Sequence, residues 1–211
     1  MQGSSPRSAV FLSRLASNPI IAVLRGLDPQ TTARHAADLL VAGSIHVEVT
    51  IQDSTGMEAL KRTVTMKGLS GCFVGAGSVT SVELAEQAID VGAQFLVSPG
   101  LSPAVIEIAD AHDVPILPGV ATPSEVQSAH DLGIRTVKLF PAAQLGGPAY
   151  LRALAAPFPF MRFVPTGGVD FSNAPDYLAA GALAVGIGSG LTRPGGVEAF
   201  HDWMKGFNGH E

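Results

Sequence analysis

Short apolar runs alternate along the chain with stretches in which apolar residues recur every three to four positions, and the alternation occurs eight times. The runs predict strands at Ile20–Arg25, Ile45–Ile51, Cys72–Gly75, Gln94–Ser98, Pro115–Leu117, Thr136–Phe140, Arg162–Thr166 and Ala184–Ile187. A helical pattern follows each. Asp28-Pro29, Ser102-Pro103 and Thr122-Pro123 each set a capping side chain before a proline suited to the first helical position. The spacings Thr55-x-x-Glu58, Thr80-x-x-Glu83 and Thr122-x-x-Glu125 read as capping boxes. Gly43, Gly92, Gly133 and Gly181 close helices where a left-handed residue is needed. Ahead of the first strand, Ala9–Ser17 predicts an extra helix, capped by Ser8, that plugs the floor of whatever the strands enclose.

Eight strand-helix units in succession predict an α/β fold of the (β/α)8 barrel type, as a single domain over residues 1–211 with 1–8 as a flexible tail. A doubly wound sheet is the rival. It lacks support, because no strand-helix turn carries G-x-G-x-x-G with an acidic residue about twenty positions on. Strand alternation then sorts the side chains, since only one parity enters a barrel. If Val47, Val49 and Ile51 pack on helices, His46, Glu48 and Thr50 face inward. By the same rule Val137 and Leu139 point out while Lys138 and Phe140 point in, and Val23 and Arg25 enter from the first strand. Three charged groups, Arg25, Glu48 and Lys138, are thus expected in one interior. A buried ion network is the structural alternative to a reactive site, but clustered buried ionisable groups concentrate where chemistry is done.

Composition narrows the ligand. The net charge of −5, without a basic cluster and with few aromatic residues, leaves no footprint for nucleic acid or an anionic membrane surface. No apolar segment approaches the roughly 18 residues that span a bilayer. The partner expected is a small molecule. One cysteine, Cys72, excludes an internal disulfide, and the first residues lack the layout of a secretion signal, so a reducing cytoplasm is expected. The histidines show no metal-ligand spacing; neither a metal nor a cofactor is expected.

Lys138 carries the chemistry. Of four lysines, Lys61, Lys67 and Lys205 fall in polar helical stretches, whereas Lys138 interrupts the run Val137-Lys138-Leu139-Phe140-Pro141. An ammonium among apolar neighbours is disfavoured, and a neutral amine attacks carbonyl groups to form Schiff bases. Imine chemistry also needs a group that moves protons, and Glu48 is the one carboxylate on the inward face. Arg25 offers a fork for a substrate carboxylate, and Phe140 an apolar wall. Two glycine-rich turns, Pro165-Thr166-Gly167-Gly168-Val169 and Gly186-Ile187-Gly188-Ser189-Gly190, follow the seventh and eighth strands, where barrels of this kind bind phosphate.

In order and spacing these segments resemble the 2-keto-3-deoxy-6-phosphogluconate / 4-hydroxy-2-oxoglutarate aldolase family over nearly the whole chain. Pro19–Gly26, Val47–Thr50, Val74–Val79, Val97–Gly100, Leu117–Pro123, Val137–Pro141, Pro165–Val169 and Gly186–Ser189 carry the likeness. The resemblance implies a class I enzyme with Lys138 as Schiff-base lysine and Glu48 as general acid-base. It implies Pro99, Phe140 and Thr166 around the pyruvyl moiety, and Gly167, Gly168 and Ser189 at the phosphate; Ser78 and the inward-facing Thr50 are further candidates for substrate binding, and Gly188 for phosphate binding. It further implies a homotrimer that cleaves a 2-keto-4-hydroxy acid to pyruvate and an aldehyde such as glyceraldehyde 3-phosphate or glyoxylate. Two positions depart from the family pattern: Gln52 stands where many members carry arginine, and Ser78 where threonine is usual. Arg25 is then the candidate to supply the missing cation. A phosphosugar isomerase or epimerase would use the same two phosphate turns but would not need a buried lysine paired with glutamate, and a non-catalytic sensor of a keto acid or sugar phosphate would use the same pocket for recognition alone.

Overall fold

The alternation read from the sequence becomes, in a computed structural model describing residues 6–69 and 71–207, nine strand segments and nine helices. The strands are β1 Ile20–Leu24, β2 His46–Thr50, β3 Phe73–Gly77, β4 Leu96–Val97, β5 Ile116–Leu117, β6 Gly119–Val120, β7 Thr136–Leu139, β8 Arg162–Pro165 and β9 Val185–Ile187. The helices are α1 Pro6–Ser17, α2 Pro29–Val41, α3 Ser54–Val64, α4 Val82–Asp90, α5 Pro103–Ala111, α6 Pro123–Asp131, α7 Gly147–Ala155, α8 Ala174–Ala179 and α9 Gly196–Phe207. All strand pairs are parallel. One sheet runs β5-β4-β3-β2-β1-β9 and the other β6-β7-β8, and a bridge between Thr166 and Gly186 joins them on one side. On the other, β5 falls in the expected fifth strand, Pro115–Leu117, and β6 continues that stave past its expected end, the two parted by Pro118, which has no N–H to give the ladder. Eight staves therefore close as a (β/α)8 barrel.

Inward and outward residues separate as strand parity requires. Ile20, Ala22, Leu24, Val47, Val49, Ile51, Val137 and Leu139 belong to the large apolar layer between sheet and helices. Ile21, Val23, Phe95, Val97, Leu117, Val164 and Ala184 form a separate inner cluster, which Phe11 and Leu15 of α1 enter from the floor. Phe11 stacks on Phe95 with centroids 4.9 Å apart and meets His46 edge-on at 5.8 Å. The plug thus exists, but it starts earlier than expected. Pro6 begins the helix, and Ser8 is a buried residue inside it instead of its cap. Of the tail expected over 1–8, residues 6–8 are helical and 1–5 lie outside the described residues.

The caps are partly as predicted. Asp28, Ser102 and Thr122 accept from their helices' first amides, and Thr122 with Glu125 forms the reciprocal capping box. For α3 and α4 the cap lies elsewhere: Asp53 accepts from Gly56 N at 2.9 Å and Ser81 from Leu84 N at 3.2 Å, displacing Thr55 and Thr80 from the role. Aspartate and serine cap at least as well as threonine, so a threonine one or two residues away yields. Gly43, Gly92, Gly133 and Gly181 all adopt positive φ just past their helices, as expected. No described helix is long and apolar enough to cross a membrane.

Candidate active site

The barrel fold brings strand carboxyl ends to one rim, and there a cavity of about 260 Å³ opens between β1, β7, β8 and β9. Eight of the expected site residues line it: Arg25, Lys138, Phe140, Thr166, Gly167, Gly168, Gly188 and Ser189. Lys138 is held at the centre of its sheet. Its amide donates to the Pro118 carbonyl at 2.9 Å, and its register partners are Gly119 and Val164. The side chain is only 5% exposed, with Nζ 5.0 Å from the centroid of the Phe140 ring. Phe140 therefore walls the amine on one side, as the sequence pattern anticipated.

The expected cluster of three buried charges is corrected in one member. β1 ends at Leu24, so Arg25 stands beyond it at an exposed rim, where its guanidinium keeps its hydration while still facing the cavity. Glu48 is buried, at 2% exposure, yet does not itself line the cavity; its register partner on β1, Val23, does. One carboxylate oxygen, Oε1, is shielded from solvent and accepts no hydrogen bond from a described residue. Buried oxygens are rarely left so, and exceptions mark sites held ready for another partner.

Thr50, Ser78 and Pro99 are not brought to this cavity. Thr50 donates to the Leu24 carbonyl at 3.3 Å and borders a second cavity of about 270 Å³, shared with Gln52, Asp28 and Asp53. Inward parity brings Thr50 to the barrel, but the bond to β1 turns its hydroxyl aside. Ser78 follows β3 with φ of 62°, a left-handed conformation uncommon for serine. Pro99 is exposed, and its carbonyl occupies the space that a Cβ on Gly119 would need. Four lining residues have no role of their own in the sequence reading: Val23 is placed inward, Val169 and Gly186 belong to the two glycine-rich turns, and Thr192 is not singled out. Thr192 was detectable only as a hydroxyl three positions beyond Ser189 in the same loop.

The turn after β8 is built for close approach. Gly167 and Gly168 have φ of 90° and 73°, a left-handed pair that side chains resist. Behind them Asp170 accepts from Ser172 N, Ser172 Oγ and Asn173 N, and Asn173 Nδ2 donates to the Gly168 carbonyl at 3.0 Å. These bonds hold the Asp170 carboxyl below its usual range, the Ser172 hydroxyl foremost. A rigid turn with backbone exposed at a cavity lip suits an oxyanion.

A lysine buried in a parallel barrel and opening on a cavity lined by glycine turns is an arrangement suited to imine chemistry on an anionic keto compound. Comparison with known proteins gives the family. The family model for KDPG and KHG aldolase matches residues 12–205. A 2-dehydro-3-deoxy-phosphogluconate aldolase of Treponema pallidum is 40% identical over 169 residues, which is 80% of this chain and 78% of the relative. The solved 2-keto-3-deoxy-6-phosphogluconate aldolase of Zymomonas mobilis with 3-phosphoglycerate superposes with a TM-score of 0.81 at 31% identity, covering 93% of this chain and 95% of that one. A KDPG aldolase of Legionella pneumophila, with pyruvate captured as a covalent carbinolamine, gives 0.78 at 28% identity over 92% of each chain. The chain belongs to the KDPG and KHG aldolase family, and it is an aldolase.

Proposed function

We propose that the protein cleaves a 2-keto-3-deoxy-6-phospho sugar acid, or 4-hydroxy-2-oxoglutarate, to pyruvate and an aldehyde such as glyceraldehyde 3-phosphate through an imine on Lys138. The observation that carries this reading is the burial of Lys138 beside Phe140, with its side chain on the cavity. The neutral amine adds to the C2 ketone, and the carbinolamine loses water to give the iminium. Removal of the C4 hydroxyl proton then breaks the C3–C4 bond. The electron pair enters the iminium as an enamine and the aldehyde departs. Protonation of C3 and hydrolysis release pyruvate and regenerate the lysine. Glu48, the one buried carboxylate among the described residues, serves these proton transfers, its unpartnered Oε1 being available for them.

Arg25 at the rim pairs with the substrate carboxylate, and the Gly167-Gly168 turn with Gly188 and Ser189 takes the phosphate. The solved relative from Zymomonas mobilis, described with a phosphorylated three-carbon acid, is consistent with an anion at such a site. Cleavage is tested by pyruvate release from each of the two keto acids. We expect turnover with the wild type and a loss of at least ~10³-fold in Lys138→Met, since the covalent step has no substitute. Retained turnover in that variant would refute the imine route. We also infer a homotrimer in the cytoplasm. Equilibrium sedimentation should give three times the chain mass, and a monomeric mass would remove the assembly from the reading.

A further inference from the structure

Glycine inside a strand loses conformational entropy and leaves a gap in packing, so it needs a local reason. Gly77 ends β3 with no positive φ, so its backbone conformation would accept an L side chain. The space would not. A Cβ built on Gly77 collides with Oε1, Cδ and Cγ of Glu48, three atoms of the one buried carboxylate beside the cavity.

Register explains the contact. Glu48 lies opposite Gly75 and Thr50 opposite Gly77, so the Glu48 side chain leans two residues toward the carboxyl end of the barrel, where the cavity opens. Gly75 is filled differently, by the Phe95 ring of the inner cluster. Gly186 of β9 repeats the device: it too lacks a positive φ, and a Cβ there collides with the Thr166 hydroxyl, which lines the cavity.

We propose that Gly77 is a positioning residue for the reaction, reserving the volume in which the Glu48 carboxylate leans toward the catalytic cavity. Its sequence signal is faint, because a glycine in Gly75-Ala76-Gly77-Ser78 reads as turn chemistry. The proposal rests on Glu48 moving protons. A methyl group at 77 pushes the carboxylate out of its place without touching substrate, so the chemical step suffers while binding does not.

The test is a double-mutant cycle on aldol cleavage with Gly77→Ala, Glu48→Ala and both together, with thermal melts of each. Glu48→Ala should lower kcat by ~10²–10⁴-fold, the usual range for a general acid-base. Gly77→Ala alone should lower kcat at least ~10-fold with KM within about threefold. In the Glu48→Ala background the same change should alter kcat by less than about twofold, because the group it displaces is gone. Additive losses, or wild-type kcat in Gly77→Ala, overturn the proposal. Should Gly77→Ala fail to fold, restored folding in the double variant supports the collision with Glu48, and an unfolded double variant refutes it. Wild-type kcat in Glu48→Ala sinks the proton-shuttle reading itself and takes the proposal with it.

Discussion

An ionisable side chain buried in an apolar barrel is costly unless something uses it, and Lys138 and Glu48 are both almost fully covered. Arg25 differs, because it keeps its exposure at the rim and can pair with an incoming carboxylate at little cost. Gln52, the other position considered for that carboxylate, borders the neighbouring cavity instead. Arg25→Ala should therefore raise KM for the keto acid by ~10-fold or more, the loss of a charge-assisted pair, while Gln52→Ala stays within about twofold. Steady-state kinetics on the two variants decides it, and equal small effects would show that Arg25 binds no carboxylate. Lys138 was legible because a charge interrupts an apolar run, and Glu48 because parity is strict in a strand. Thr50 rested on strand parity, and Ser78 and Pro99 on family likeness, and none of them lines the Lys138 cavity. Where a hydroxyl turns, or where Thr192 arrives, depends on loop paths that periodicity does not encode.

Among the elements, α1 closes the barrel floor. It drives Phe11 and Leu15 into the barrel floor and seals His46 between the rings of Phe11 and Phe73. Burial pushes the His46 imidazole down to about 4, an effect that the Ile20 backbone opposes and the Arg14 charge reinforces. Neither ring nitrogen has a partner of good geometry. An unfolded chain protonates this histidine near pH 6.5, whereas the folded one stays neutral to about 4. Stability is therefore full above pH 6.5 and falls as pH drops toward 4, by up to about 3 kcal/mol from this group. Chemical denaturation of wild type and His46→Leu across that window tests it. The variant should lose less stability on acidification than the wild type, and parallel curves would deny His46 its part. The helix starts show where sequence reading works: proline-led caps were found correctly, while Asp53 and Ser81 outcompeted nearby threonines that fitted the spacing equally well.

For the molecule as a whole, the count of eight strand-helix units was enough to predict closure, because parallel strands joined by helices have few ways to hide both faces. The seam was not legible: Pro118 splits one stave, and a single bridge between Thr166 and Gly186 joins β8 to β9. Closure gathers the cation at the end of β1, the lysine of β7 and the glycine turns after β8 and β9 around one cavity, so residues over a hundred positions apart line one space. The central claim is that this cavity makes an imine on Lys138. Borohydride reduction in the presence of pyruvate, followed by peptide mass mapping, tests it most directly. A reduced pyruvyl adduct on Lys138 is the predicted result; the absence of any adduct, or an adduct confined to Lys61, Lys67 or Lys205, would contradict it.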